Sequence, residues 1–421
     1  MTGKDSGVVG NGAIRDAVSA NLPAALEMLC TLVRFPSTSG NEHAAMLYLE
    51  EQFGRIPGVR AERVALDDAI KSDPDYSDPI PDISYGGRFN LRVVRAGSGG
   101  GRTLLLNTHT DVVPPSEGMV DPWSGALRDG TVYGRGACDA KGQVVASYLL
   151  LCALADLGVQ TRGDVVAHLV VEEENGGNGT LAMARAGERA DGCIVLEPTD
   201  GAVHTSIRGA VWFRIVFSGK AGHSGQAAVS RSALLLARDG MAILEGYHAR
   251  LLAQSRGFPL FDPYPNPMPL TFGRLHAGTW PASAPSQAVL EGVLGLLPNR
   301  SKEQVCEEMK AALASSPDPF LASHFDLHFM YRHDSSVLDP GRELPRAILG
   351  SGDAAGAGLR VSGMTASCDA WFYNNWLGIP TVVYGAGALK HAHTKDEQIE
   401  GAEIGKAAEV LLHTVAGFCG A

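Results

Sequence analysis

The sequence has no C-x-x-C pair, no basic block and no unbroken apolar run near the ~18–20 residues that a bilayer span needs. Each absence removes a class of protein. Charged residues make up only 19%, and the formal net charge is -11. That balance argues against nucleic acid and against an anionic membrane surface as partners. The seven cysteines are odd in number and scattered. They read as reduced thiols of a cytoplasmic protein, not as a disulfide framework. Cys138 and Cys368 fall inside motifs but read as small buried thiols. The opening MTGKDSGVVGNGAIRDAV lacks a basic patch followed by an apolar stretch, so no signal peptide is expected. There is no internal repeat.

What is present is a hydrophobic content of 45% spread over 421 residues. That length exceeds one ordinary core, so two domains are expected. Leu22, Ala25, Leu26, Leu29, Leu32 and Val33 form a helical stripe that stops before Pro36. A second helix is expected over about 41–53, with Asn41 as N-cap. Residues 67–90, rich in Asp, Pro and Gly, read as a long functional or mobile loop.

From Thr103 the texture is α/β. TLLLN, DVVAHLVV and CIVL are short strands that are apolar on both faces, and KGQVVASYLLLCALADLG is a helix. The alternation predicts a mainly parallel sheet covered on both sides. After Gly209 the pattern changes. AVWFRIVF reads as a strand, 230–252 as a helix, and PLTFGRL and QAVLEGVLGLL as strands. SKEQVCEEMKAALASS follows as a helix, with Ser301 as N-cap and Glu303 as its capping-box partner. DLHFMY closes the set as a strand. The order β-α-β-β-α-β is that of a ferredoxin-like domain. The expected organisation is therefore an α/β domain over 1–207 and 335–421, interrupted by an inserted ferredoxin-like domain over 208–334.

Chemistry-bearing residues gather at strand ends. LLLNT runs into His109 and Asp111, which share a face of the strand. A histidine there can bind a metal through one ring nitrogen, while Asp111 accepts from the other and fixes the tautomer. YGRGACDAKGQ surrounds Asp139 with glycines; its rival role is a helix N-cap. Glu173 and Glu174 follow DVVAHLVV, and Glu197 follows CIVL. GALKHAHTKDEQIE, after the PTVVY strand, offers His391 and His393. The C-terminal edge of an α/β sheet is where the ligand crevice lies. So many carboxylates in one place are costly unless a cation balances them. Mixed histidine and carboxylate ligands suit zinc, with cobalt or manganese as substitutes. A carboxylate bridging two metals ~3.5–4 Å apart is an arrangement for activating water.

The segments HTDVVP, GRGACDAKG, EEENGGNGT, LEPTD, AGHSG and AHTKDEQ, in this order, resemble the co-catalytic zinc hydrolases of metallopeptidase clan MH. More narrowly they resemble the acetylornithine deacetylase, succinyl-diaminopimelate desuccinylase, aminoacylase and glutamate carboxypeptidase family. The resemblance runs from about Leu22 to the C-terminus. It implies two zinc ions held by His109, Asp139, Glu174, Glu197 and His393, with Asp139 as the bridge. It implies Asp111 as orienter of His109 and Glu173 as general base. It implies a homodimer through the inserted domain, with His223 of AGHSG reaching the partner's site. It also implies a cis peptide between Asp139 and Ala140. The implied activity is hydrolysis of an amide, most directly deacylation of an N-acyl amino acid. The rivals are a dipeptidase or carboxypeptidase on the same site, and an inactive binding protein on this fold.

The chain departs from the family pattern around the substrate. Ser283 stands where relatives often carry Asn, and the QAVLEGVLGLLP strand has no Arg for a substrate carboxylate. Asp369–Ala370–Trp371 replaces Asp-x-Arg, and Gly385–Ala386–Gly387 replaces Gly-Pro-Gly. Arg208 and Arg274 are alternative sources of positive charge. Trp280 and the proline-rich stretch 257–269 suggest a more apolar pocket.

Overall fold

The computed structural model describes residues 10–226 and 229–421. The part of the chain start that was read for a targeting signal lies, through residue 9, outside the described residues.

Four parallel strands form the centre of a nine-stranded sheet, in the order Val165–Val170, Leu104–His109, Gly192–Val195 and Thr381–Val383. All four are buried along their whole length, as their mainly apolar sequences require. The flanks are largely antiparallel, an addition to the mainly parallel sheet expected. Phe89–Arg95 and Val59–Ala65 extend one side. Ala202–Ile207 extends the other, paired with Ser336–Val337 and, in parallel, with Arg360–Met364. Helices Asn11–Val33, Gly142–Asp156 and Gly401–Cys419 pack on one another over the sheet.

Two helical stretches, Asn11–Val33 and Ala137–Asp156, are long and apolar enough to cross a membrane on length and composition alone. This corrects the expectation that no apolar run approaches spanning length, because a few interspersed polar residues do not lower the mean hydropathy enough. In the second, 89% of the most apolar window is buried inside the fold, so its hydropathy is that of a core helix. The first helix starts earlier than its stripe, with Ile14 and Val18 also buried. The second runs from His43 to Gly54 with Glu42, not Asn41, at its N-cap position. The Asn41 amide instead donates to the Pro36 carbonyl at 2.7 Å.

The chain leaves the main sheet at Ile207 and rejoins it at Ser336. Between these points lies a four-stranded antiparallel sheet in the order Leu270–Ala277, Gln287–Leu296, Gly209–Ser218, Phe325–His333. Its first and third strands in chain order are central, as in a ferredoxin-like fold. Helices Ala233–Gln254 and Lys302–Ala314 pack against it over a core of its own that includes Phe213, Phe217, Leu244, Leu290 and Met309. The second helix has Ser301 as N-cap, but its capping-box partner is Gln304 and not Glu303. The helix begins at Lys302, which puts Gln304 at the third position, where its side chain reaches back to Ser301 N at 3.0 Å.

Candidate metal centre

The loops at the C-terminal ends of the parallel strands bring the expected residues together in two groups of three. His109, Asp139 and Glu197 form one, and Asp139, Glu174 and His393 form the other, each with its ligand atoms within 4.8 Å of one another. Asp139 belongs to both and turns one oxygen to each. His109 Nε2 lies 3.0 Å from its Oδ1 and 3.9 Å from Glu197 Oε1. His393 Nε2 lies 3.5 Å from Asp139 Oδ2 and 3.0 Å from Glu174 Oε2. The first group is buried, whereas the His393 side chain is half exposed. His391 belongs to neither group. Asp139 is not a helix cap; it sits in a tight turn over 137–141, and the Asp139–Ala140 peptide is cis, as expected.

The three carboxylates of the two groups outnumber the two imidazoles, an excess that a cation would balance. Burial pushes the Glu173 and Glu197 carboxyls well above the usual range; neighbouring carboxylates add to this, and His109 opposes it. Burial also raises Glu174. For His393, burial opposes protonation, but Glu174 and Asp139 outweigh it and lift the ring to about 9. His109 is raised in the same way, against burial, by Asp111 and Asp139. Protonated rings thus stand in as counter-charges, and ligation by a divalent ion displaces such protons. Two imidazoles and three carboxylates, one of them shared, fit a pair of divalent ions as a donor set.

Asp111 does something different from what its spacing suggests. His109 Nδ1 donates to the Asp111 backbone carbonyl at 2.9 Å, and the carboxylate stands farther off, at 3.6 Å. The carboxylate oxygens accept instead from the backbone N–H groups of Glu173 and Glu174, both at 3.1 Å. One residue thereby fixes the histidine tautomer through its carbonyl and the glutamate turn through its side chain.

Several supporting residues escaped the sequence reading. Glu397 Oε1 accepts from the backbone N–H of Gly136, Cys138 and Asp139 at 3.0, 3.2 and 3.1 Å, and its other oxygen pairs with buried Arg135. The residue lies inside AHTKDEQ, so the motif contained it without showing its role. Glu172, first of three consecutive glutamates, is fully buried with φ 62°. It accepts from Tyr85 Oη at 2.6 Å and Asn178 Nδ2 at 3.0 Å, and it pairs with Arg88. Asp369 accepts from Thr180 Oγ1 at 2.5 Å, and burial lifts its carboxyl to about 7.

His223 is not part of the cluster within this chain. It is exposed on a short strand beside Ser283, and its Nδ1 accepts from Gly225 N at 3.1 Å. Trp280 is 68% exposed and lines a 450 Å³ cavity with His276 and Ser283. Arg274 is engaged by Glu291 at 2.6 Å. Arg208 has no carboxylate partner among the described residues; its guanidinium donates to the carbonyls of Thr365 and Gly209 at 2.5 and 3.1 Å.

A parallel-centred α/β sheet that gathers histidines and carboxylates into two groups sharing one aspartate defines a metal-dependent hydrolase. Residues 105–417 match the family described as Peptidase family M20/M25/M40, and the chain belongs to that family. It is 27% identical to the acetylornithine deacetylase of Myxococcus xanthus over 415 residues, 96% of this chain and 100% of the relative. It is likewise 27% identical over 348 residues to the N-formyl-4-amino-5-aminomethyl-2-methylpyrimidine deformylase of Halalkalibacterium halodurans, covering 76% of this chain and 79% of that one. Human carnosine dipeptidase 1 superposes with a TM-score of 0.78 at 14% identity, covering 97% of this chain and 99% of its own. At that identity the likeness shows the fold alone.

Proposed function

We propose that the protein is a two-zinc amidohydrolase that removes the acyl group from an N-acyl amino acid or a related small amide. The observation that carries this reading is the pair of ligand groups sharing Asp139. The deacetylase and deformylase relatives both remove acyl groups from amines. A dipeptidase or carboxypeptidase on the same site is the second reading, compatible with membership of a peptidase family.

In this reading His109 and Glu197 would hold one ion and Glu174 and His393 the other, with Asp139 available to both. When bound, the ions supply Lewis-acid polarisation of the scissile carbonyl and acidify the attacking water. Glu173 is the general base. Its carboxylate takes a proton from that water and delivers it to the leaving amine nitrogen. Burial among like charges suits a carboxyl that must hold a proton between two steps. Asp111 keeps the Glu173 backbone fixed while the side chain exchanges its proton. Cobalt or manganese would serve as substitutes for zinc.

Residues 208–334 act in this reading as an inserted domain that pairs with its twin, between catalytic parts 1–207 and 335–421. The Leu270–Ala277 strand is an open sheet edge with most residues exposed, which supports pairing across a two-fold axis. His223 would then serve the partner's site. The seven free cysteines support a cytoplasmic setting.

The substrate pocket is less dependent on a carboxylate clamp than that of relatives with an Arg on the inserted domain. Arg274 is already neutralised by Glu291, which leaves Arg208 as the candidate anchor. Hydrolysis of N-acyl amino acids, their carboxamides and dipeptides by zinc-loaded protein tests the reading. Acyl amino acids should be cleaved faster than dipeptides, and amidation should lower kcat/KM by less than about a hundredfold. Faster cleavage of dipeptides would favour the second reading, and a larger drop would establish a carboxylate clamp.

A further inference from the structure

Segment 73–78, inside the Asp- and Pro-rich stretch, joins parts of the molecule that are far apart in sequence. On one side it grips the four-stranded unit. Asp78 N donates to the Met330 carbonyl at 2.8 Å, and His328 Nε2 lies 2.9 Å from Asp78 Oδ2. Arg332 Nη2 donates to the Pro74 carbonyl at 3.1 Å, and Lys302 Nζ to Asp75 Oδ1 at 3.0 Å. On the other side it grips the turn after Glu173 and Glu174. Ser77 N donates to Asn178 Oδ1 at 3.0 Å, and Asn178 Nδ2 returns to the Ser77 carbonyl at 2.9 Å. Ser77 Oγ donates to the Gly176 carbonyl at 3.2 Å.

Gly176 is where these parts meet. Its φ is 117°, and a Cβ there would lie 2.3 Å from Ser77 Cβ and 2.8 Å from Tyr331 Cδ2. Tyr331 belongs to the Phe325–His333 strand of the four-stranded unit. Segment 73–78 (the strap), the glutamate turn and that unit are therefore in direct contact two residues beyond Glu174. Gly176 and Gly177 give the turn little stiffness of its own, since both have positive φ and no side chain. Its shape is set by what holds it from outside. Asn178, fully buried, is the common partner, because its Nδ2 also reaches Glu172 Oε2 at 3.0 Å.

We propose that Ser77 and Asn178 are positioning residues for the reaction, transmitting the placement of the four-stranded unit to the turn that bears Glu173 and Glu174. The effect on the reaction rests on the roles proposed above for those glutamates; the mechanical coupling does not. The test weakens the hold of segment 73–78 on the four-stranded unit without touching the turn, removing two of the four contacts with the double variant Lys302→Met and His328→Leu in the full chain. Amide hydrogen exchange at 175–179 should rise about tenfold, with protection of the core helix 142–156 unchanged. With zinc loaded, kcat should fall about tenfold while KM stays within about twofold, since the substrate still binds but the base is misplaced. Ser77→Ala should act in the same direction, and combining it with the double variant should add little, because both interrupt one path. Unchanged exchange at 175–179 would overturn the coupling, as would fully additive effects. Faster exchange with unchanged kcat would overturn the positioning role. If the unsubstituted chain hydrolyses no amide, the functional reading fails, and the exchange measurement still decides the coupling.

Discussion

Replacing Glu397 with alanine should cost the fold about 3–5 kcal/mol and loosen the loop that carries Asp139. The magnitude follows from what the carboxylate does. One oxygen accepts three backbone N–H groups, those of Gly136, Cys138 and Asp139. The other neutralises Arg135, whose side chain is 1% exposed. Removing the carboxylate leaves a buried guanidinium with, among the described residues, only Ser116 Oγ and the Thr394 carbonyl as partners. It also leaves the three N–H groups unsatisfied, at about 1–3 kcal/mol each before water enters the vacated space. Relaxation brings that sum down to the figure for a broken buried pair. Glu397→Gln keeps an acceptor for the N–H groups and removes only the charge, so about 1.5–3 kcal/mol is expected. Urea unfolding of the three proteins measures the differences, and a divalent-ion titration measures the effect on Asp139. The alanine variant should bind ions more weakly as well as unfold earlier. Stability within about 1 kcal/mol of the parent, together with unaltered ion binding, would refute the reasoning.

Three other expectations follow from the same geometry. Glu173→Ala should retain both ions and lose roughly 10²–10⁴-fold in rate, whereas Glu174→Ala should lose an ion; metal analysis beside kinetics separates them, and swapped outcomes would mean that the two roles are reversed. For Glu188, burial raises the carboxyl, but hydrogen bonds from His168 and Arg92 win and hold it at about 2. That depressed value stabilises the fold above the ordinary carboxyl range, and the contribution is lost as pH falls toward 2. Glu188→Gln should therefore destabilise by on the order of 2–3 kcal/mol at pH 7, with the gap to the parent narrowing below about pH 4.5; a gap independent of pH would contradict this. Mixing inactive His223→Ala and Glu173→Ala chains should restore some activity in mixed dimers, and proven mixed dimers without activity would argue against a role for His223 across the interface.

The parallel centre of the sheet was legible because its strands are short, mainly apolar runs bounded by glycines or charged residues. The antiparallel flank was not. Val59–Ala65 mixes charged and apolar residues and is half solvated, and Phe89–Arg95 begins inside the stretch read as loop to residue 90. The ligand residues were legible because they stand where strands end. The network that holds them was hidden, since Glu172 and Glu397 look like solvated acids until a distant Arg88 or Arg135 folds against them. Asp111 shows the same limit. Its spacing from His109 was informative, but which of its oxygens faces the ring depends on a turn that sequence does not fix. The substitution of alanine in Gly385–Ala386–Gly387 has a visible reason. Ala386 N donates to Gln143 Oε1 at 2.9 Å, a bond that proline could not make.

The central claim is that hydrolysis depends on two divalent ions held through Asp139. The direct measurement is hydrolysis of an N-acetyl amino acid by chelator-stripped protein as zinc is added back, with bound zinc counted alongside. The account predicts no activity without metal, recovery that completes as the second ion binds, and neither binding nor recovery in Asp139→Ala. Full activity in the stripped protein, or recovery in the Asp139 variant, would contradict it.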